Sequence, residues 1–273
     1  MASKTCPVCR GESDLVLQYT VLDQYLARLH QCHGCGFAWV LDPTWLEESF
    51  GVELNSLDLG SVDRCGVVLD FVEVLVRREK ISNGTFVDWG GGYGLMTRMA
   101  RDRGLDFRNF DPYVRPLFAG PAQLKAMESA DLVVASEIFL HLPDPVASLS
   151  ELLQSGERVL LTAVVLKGVP ERDWWYLMPS TGQHVAFFTT GSLREMARRT
   201  GSTFVTDGRF FHVFSKDKMR LSTRAVIRSR SLAYSLAMLN HLRLLVLRAL
   251  GRNPSRTPGD QQMMLRPDGG SCD

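Results

Sequence analysis

Thr85-Phe-Val-Asp88-Trp-Gly90-Gly-Gly92-Tyr-Gly94 is the stretch that decides how this chain is read. An apolar run closes on an acid, glycines follow, and Leu95–Arg103 continues in a helical pattern. Strand, loop and helix in that order bring the loop's backbone N–H groups close to a ligand, because glycine has no Cβ in the way. The spacing is D-x-G-x-G-x-G, not G-x-G-x-x-G. A second acid, Asp111, ends the next strand-like segment, Phe107–Phe110, 19 residues after Gly92. In nucleotide-binding α/β folds, an acid at that place meets a ribose. The plainer alternative, a glycine-rich turn between packed elements, leaves both acids unexplained.

Outward from this loop the pattern alternates. Asp131–Ser136 and Val159–Val165 are strand-like, and Val146–Leu153 and Ser192–Thr200 are helical. Upstream, apolar residues from Val67 to Val76 predict a helix that stops at Asn83-Gly84. Downstream, Thr203–Thr206 and Phe210–Phe214, joined by Asp207-Gly208-Arg209, predict a terminal antiparallel hairpin. Strands alternating with helices predict an α/β fold with a mostly parallel sheet covered on both faces. Nothing marks a clear strand between Asp111 and Asp131. The expected division is 1–50, 51–215 and 216–273, with 251–273 a loose tail.

The 273 residues are 45% hydrophobic and 22% charged, as in an ordinary soluble protein. That excludes wholesale disorder, collagen and a disulfide-dense scaffold. No run of 18 residues is continuously apolar, so no clear membrane span is expected. The opening MASKTCPVCR has no apolar core, so no signal peptide is read and a cytoplasmic location is expected. The net charge of +1 hides an asymmetry. Residues 216–256 hold ten Lys/Arg against one Asp, a net +9, and the remainder carries a net −8.

Four of the six cysteines form two knuckles, Cys6-Pro-Val-Cys9 and Cys32-His-Gly-Cys35, 22 residues apart. Each C-x-x-C turn aims two thiolates at one ion, and two such turns complete a tetrahedral zinc site with no position left for water. An N-terminal ribbon holding a structural zinc is therefore expected at Cys6, Cys9, Cys32 and Cys35. The alternative is four unrelated buried cysteines. His30 and His33 are competing ligands in principle, and Cys65 and Cys272 look like bystanders.

FVDWGGGYG, FDPY and ADLVVASEIFLHLPDP together resemble the class I S-adenosylmethionine-dependent methyltransferases over about residues 65–215. The resemblance implies a Rossmann-like sheet and S-adenosylmethionine as cofactor. It places Gly90, Gly92 and Gly94 in the cofactor loop, Asp88 near the methionine amine, Asp111 on the ribose hydroxyls, and Glu137 among the cofactor-binding residues. Phe118–Leu124 would supply the adenine pocket. Many relatives read E-x-x-E-H-x-x-D-P where this chain reads Glu137-Ile-Phe-Leu140-His141-Leu-Pro-Asp144-Pro, so Leu140 removes the second acid.

Gly182-Gln-His184-Val-Ala-Phe-Phe-Thr resembles a segment of a branch that often carries an N-terminal zinc ribbon and includes deoxysugar C-methyltransferases. Their Tyr-His-Glu-His stretch aligns its last His with His184, its Glu with Gln183 and its Tyr with Thr181. An amide cannot take a proton, which counts against carbanion chemistry. The expected reaction is methyl transfer to a hydroxyl, less so a carbon, of a sugar, nucleotide sugar or glycan precursor. His184 is the first candidate base and His141 the second. A packed or helix-capping role is the alternative for His184, and a pocket-shaping role for His141. Trp174, Trp175 and Tyr176 would stack on a ring or pack in the core. Two other readings stand beside this one: a non-catalytic zinc-ribbon/methyltransferase-like binding module, and a nicotinamide-dependent dehydrogenase, which the loop spacing disfavours.

The basic arm is the last feature. Arg220, Arg224 and Arg228 recur at four-residue spacing on one helix face. Leu232–Leu250 is mostly apolar but contains Arg243 and Arg248, which argue against spanning a bilayer. Its apolar residues wrap too far round for a clean interfacial face, so a packing or dimerising helix is the reading taken. Peripheral contact with an anionic membrane through residues 220–250 is the second reading. No recognition motif supports a nucleic-acid partner.

Overall fold

β1 (Ser13–Val21), β2 (Tyr25–Cys32) and β3 (Ala38–Val40) lead into helices α1 (Leu46–Ser49) and α2 (Ser61–Glu79). Then follow β4 (Thr85–Trp89), α3 (Leu95–Asp102), β5 (Asp106–Phe110), β6 (Leu132–Ser136), α4 (Pro145–Ser155) and β7 (Arg158–Thr162). The chain continues through β8 (Ala186–Phe187), α5 (Thr190–Thr200), β9 (Thr203–Thr206), β10 (Phe211–Ser215), α6 (Leu221–Arg228), α7 (Arg230–Ala249) and α8 (Thr257–Met264). The computed structural model describes residues 5–50, 60–252 and 254–264. Two compact units result: a cysteine unit (residues 1–59, 137–154 and 159–218) and a glycine-loop unit (60–136, 155–158 and 219–273).

In the glycine-loop unit the strand order is β5-β4-β6, all parallel. Asp88 lies opposite Asn109 on one side and Val134 on the other. Leu132 to Ala135 are all buried, the continuous apolar run that a strand covered on both faces requires. Among the described residues no strand lies between β5 and β6. A short 3₁₀ turn at Gly120–Ala122 and a single bridge from Asn109 to Gln123 take that place.

Two sequence expectations are corrected in this unit. Helix α2 ends at Glu79, because Lys80 turns left-handed (φ 62°) and the Ile81 N–H closes onto the Val76 carbonyl. Gly84 serves a different need: a Cβ there would lie 2.5 Å from the Asp131 carboxylate, which accepts the Thr85 N–H. The tail is also more ordered than its composition suggests. Helix α8 buries Asp260, whose carboxylate accepts from Arg98 at 2.9 Å and from Arg101 at 2.6 and 2.8 Å. Two guanidinium groups offset the cost of burying that charge. Residues 265–273, with Cys272, lie outside the described residues.

The cysteine unit contains an antiparallel sheet ordered β1-β2-β3-β8. Its fourth strand comes from far along the chain, with Ala38 opposite Phe187 and Trp39 opposite Ala186. The same unit holds β7-β10-β9, and β9 and β10 form the expected antiparallel hairpin, Val213 facing Val205. Strand β7 stops at Thr162 rather than Val165, because the Val164 N–H leaves the ladder and donates to the Tyr176 hydroxyl at 2.9 Å. Among the described residues, no helix is long and apolar enough to cross a membrane.

Candidate active site and cysteine cluster

The glycine loop leaves β4 and enters α3. Gly90, Gly92 and Gly94 all take positive φ (71°, 50° and 80°), which only glycine adopts without strain. Gly91, passed over in the sequence reading, is fixed by space instead. A Cβ there would lie 2.2 Å from Asn109 Oδ1 and 2.7 Å from the Asp88 carboxyl. The loop's N–H groups are used within the unit: Gly90 donates to Phe110, Gly94 to Gly91, and Gly92 to the Asp111 carboxylate at 2.9 Å. Asp111 also accepts the Tyr113 and Val114 N–H groups at 2.9 Å each. It therefore orders its own turn and the glycine loop together. Asp88 is buried and accepts the Thr97 hydroxyl at 3.0 Å. Burial, reinforced by the Asp111 charge, pushes its carboxyl up to about 7 despite the Thr97 bond. A buried carboxyl raised in this way fits a cationic partner, and an amine is one.

In the cysteine unit, Glu137 sits directly after β6 with φ 60°, a conformation a non-glycine residue rarely holds. Side chains fix it there. Thr162 Oγ1 donates to Oε1 at 3.2 Å, and the Tyr176 hydroxyl donates to Oε2 at 2.8 Å. Tyr176 is buried, and its backbone carbonyl lies 2.7 Å from His184 Nδ1. A carbonyl only accepts, so Nδ1 carries the proton and the imidazole's basic lone pair is on Nε2. The His141 ring lies 5.5 Å from the His184 ring and 5.9 Å from Phe50. Burial, and secondarily the facing His184, push His141 down to about 3, so it stays neutral at working pH.

The loop around His184 is held by neighbours that the sequence alone left idle. Gln183 donates to the Ser49 carbonyl at 2.8 Å, Trp45 donates to the Gly182 carbonyl at 2.8 Å, and the Thr181 hydroxyl donates to Met178. The three adjacent aromatics divide: Tyr176 is core, while Trp175 is 67% exposed.

The four knuckle cysteines converge, with every Sγ within 4.8 Å of the others. Cys6 and Cys35 lie 3.7 Å apart and Cys9 and Cys32 3.3 Å apart. A zinc–sulfur bond of ~2.3 Å gives a tetrahedral edge of ~3.8 Å, so the donor set fits one zinc ion. Four thiolates this close are not stable without a cation between them. A Cβ on Gly11 would crowd Cys9 Sγ (3.3 Å) and touch Cys32 Sγ (3.5 Å). His33 instead pairs with Asp14 at 2.9 Å, and His30 is buried in β2 beside Trp39. Neither joins the cluster.

The profile of the methyltransferase-domain family matches residues 64–206, just over half of the chain. The chain belongs to that family. Among solved structures, the methyltransferase domain resembles a protein from Thermotoga maritima described as an S-adenosylmethionine-dependent methyltransferase, possibly a histamine N-methyltransferase. Identity is 14%, with 63% of this chain and 100% of that one covered at a TM-score of 0.47. An O-methyltransferase family 2 protein from Planctomyces limnophilus matches at 14% identity, over 49% of this chain and 50% of its own, with a TM-score of 0.40. The magnesium protoporphyrin IX methyltransferase of Synechocystis matches at 14% identity, over 58% and 79%, with a TM-score of 0.38. The chain thus spans about half the length of the Planctomyces protein. No curated protein matches this sequence.

The Glu137–Thr162–Tyr176 group of this methyltransferase domain was missed in the sequence. It joins residues 39 positions apart, and nothing local marks it. A clue to Asn109 exists only in hindsight: it lies on the buried side of β5 beside Phe107, fully buried, reaching the Gly92 carbonyl at 3.4 Å.

Proposed function

We propose that this protein is an S-adenosylmethionine-dependent methyltransferase acting on a hydroxyl of a sugar, nucleotide sugar or glycan precursor. When bound, the cofactor supplies an electrophilic methyl group. Asp88 faces its amine, Asp111 takes the ribose hydroxyls without leaving the loop, and Gly90, Gly92 and Gly94 give the close approach. His184 removes the acceptor proton through Nε2. The observation that carries this reading is the Tyr176 carbonyl on His184 Nδ1, which fixes the tautomer a base requires. The exposed Trp175 offers a flat face to a sugar ring. The four cysteines hold a structural zinc.

The second reading, a non-catalytic binding module, draws support from Gln183 and Thr181, which are buried in structural hydrogen bonds. Incubating the purified protein with S-adenosylmethionine and a panel of nucleotide sugars and lipid-linked glycans separates the two. Acceptor-dependent formation of S-adenosylhomocysteine supports the enzyme. Cofactor binding without turnover across the panel supports the module.

A further inference from the structure

Helix α7 carries apolar side chains on two opposite faces, and the fold uses only one of them. One stripe, Ala233, Leu236 and Ala237, packs on Val74 of α2 and Val226 of α6, and Leu244 further along is buried. Among the described residues nothing covers the opposite stripe. Tyr234, Met238, Leu242 and Leu245 recur at helical spacing and are 68, 52, 58 and 60% exposed, with Leu239 and Val246 beside them. Large apolar side chains exposed in an unbroken row are unusual on a monomeric surface and mark a contact. The wrap-around pattern thus has two causes, an inner face for the fold and an outer face for something else.

The charges around the outer face select the occupant. Arg243 flanks it on one side, and Arg248, which also reaches the Asp102 carbonyl at 3.5 Å, flanks it on the other. Both arginines are exposed. No Asp or Glu occurs from Lys218 to Arg256. A second copy of the chain would bring the same arginines face to face with no carboxylate of the arm to answer them, and the neighbouring Asp70 is already engaged by Arg103 and His241. A soluble polyanion would answer the arginines and leave the leucines in water. An anionic bilayer surface answers both, and a helix of this kind lies in the interface plane. Crossing is excluded by the inner stripe, which is committed to α2 and α6.

We propose that α7 seats the protein on an anionic membrane surface, with Tyr234, Met238, Leu242 and Leu245 in the headgroup–acyl boundary and Arg243 and Arg248 against lipid phosphates. The proposal stands independently of the acceptor and of His184. The test is co-sedimentation of the full chain with phosphatidylcholine vesicles, with and without about one third phosphatidylglycerol. Wild-type protein is expected to pellet with the anionic vesicles only, and less as salt rises, because salt shortens the reach of the arginines. Leu242→Asp with Leu245→Asp should abolish pelleting while the melting temperature and near-UV circular dichroism hold, since both side chains are exposed. Arg243→Ser and Arg248→Ser should weaken it about fivefold each. Wild-type protein that stays in the supernatant, or pellets equally with neutral vesicles, overturns the proposal. So does a lipid-free dimer that Leu242→Asp dissociates, because a second copy then covers the face.

Discussion

In the glycine loop the backbone answers the charges: Asp111 accepts three main-chain N–H groups, from Gly92, Tyr113 and Val114. Around Glu137 the answers come from side chains, Thr162 and Tyr176, and the Tyr176 main-chain carbonyl orients the His184 ring. The first arrangement ties the groups proposed to bind the cofactor to the fold, so a change at Asp111 is expected to alter loop shape and the proposed ligand contact at once. The second leaves the proposed base separable from its support. His184 can lose its imidazole while Tyr176, Glu137 and Thr162 keep their bonds. Binding and turnover should therefore respond to different substitutions.

The largest expected effect comes from the metal. Structural zinc contributes on the order of 10 kcal/mol to small cysteine-ligated modules. The knuckles are joined to the rest of their unit through the Thr189 hydroxyl on the Cys35 carbonyl (2.6 Å) and Arg199 on the Pro7 and Val8 carbonyls. Strand β3 in turn pairs with β8, two residues beyond His184. Cys9→Ser or Cys32→Ser should lower bound zinc from one per chain and displace the His184 segment. Turnover should then fall further than cofactor affinity. Calorimetry with S-adenosylmethionine beside a turnover assay checks this, and equal losses in both would erase the contrast between the two regions.

His184→Ala comes next. Turnover should fall by roughly 10²–10⁴-fold, the range for losing a general base, with cofactor affinity nearly unchanged. His184→Gln should behave alike, because an amide donates and accepts hydrogen bonds but takes no proton. His141 does not account for any rate limb near neutral pH, since burial holds its titration near 3. A variant that keeps most of its rate would return His184 to the rank of a packing residue.

What the sequence made legible follows the same division. Asp88, Gly90, Gly92, Gly94 and Asp111 fall within 24 consecutive positions, so their spacing made the strand, loop and helix legible. The knuckles were legible for the same reason, as each C-x-x-C turn is local. Glu137, Thr162 and Tyr176 meet through tertiary packing, and no window of sequence contains that meeting. The end of α2 was misplaced because a lysine, not Asn83-Gly84, took the left-handed turn. The tail was misread because Asp260 orders α8 by reaching arginines about 160 residues earlier in the chain.

A smaller effect is expected at Asp111. Asp111→Ala removes the contact proposed for the ribose, and cofactor affinity should drop by about 1–3 kcal/mol, the usual loss for charge-assisted hydrogen bonds. Because the carboxylate also holds the Gly92, Tyr113 and Val114 N–H groups, hydrogen exchange at those amides should quicken. Asp111→Asn keeps an acceptor and should recover part of both. If exchange quickens while affinity is untouched, Asp111 is a loop organiser only.

The smallest and most diagnostic effect concerns the protonation of Asp88. Its carboxyl titrates near 7 in the folded chain, chiefly because it is buried, and near ~3.9 when unfolded. Between those values the unfolded chain has released a proton that the folded chain keeps. Stability from this group therefore declines as pH rises from about 4 to about 7, and is flat beyond. A cationic amine reverses the preference, since it favours the ionised carboxylate. Cofactor affinity should rise with pH by about threefold across one unit centred on 7, following the ionised fraction. Binding just below pH 7 should release a fraction of a proton, readable by calorimetry in two buffers of different ionisation enthalpy. Asp88→Asn should flatten both the stability slope and the affinity slope. If it flattens the stability slope alone, Asp88 is a buried acid of the fold and the amine lies elsewhere.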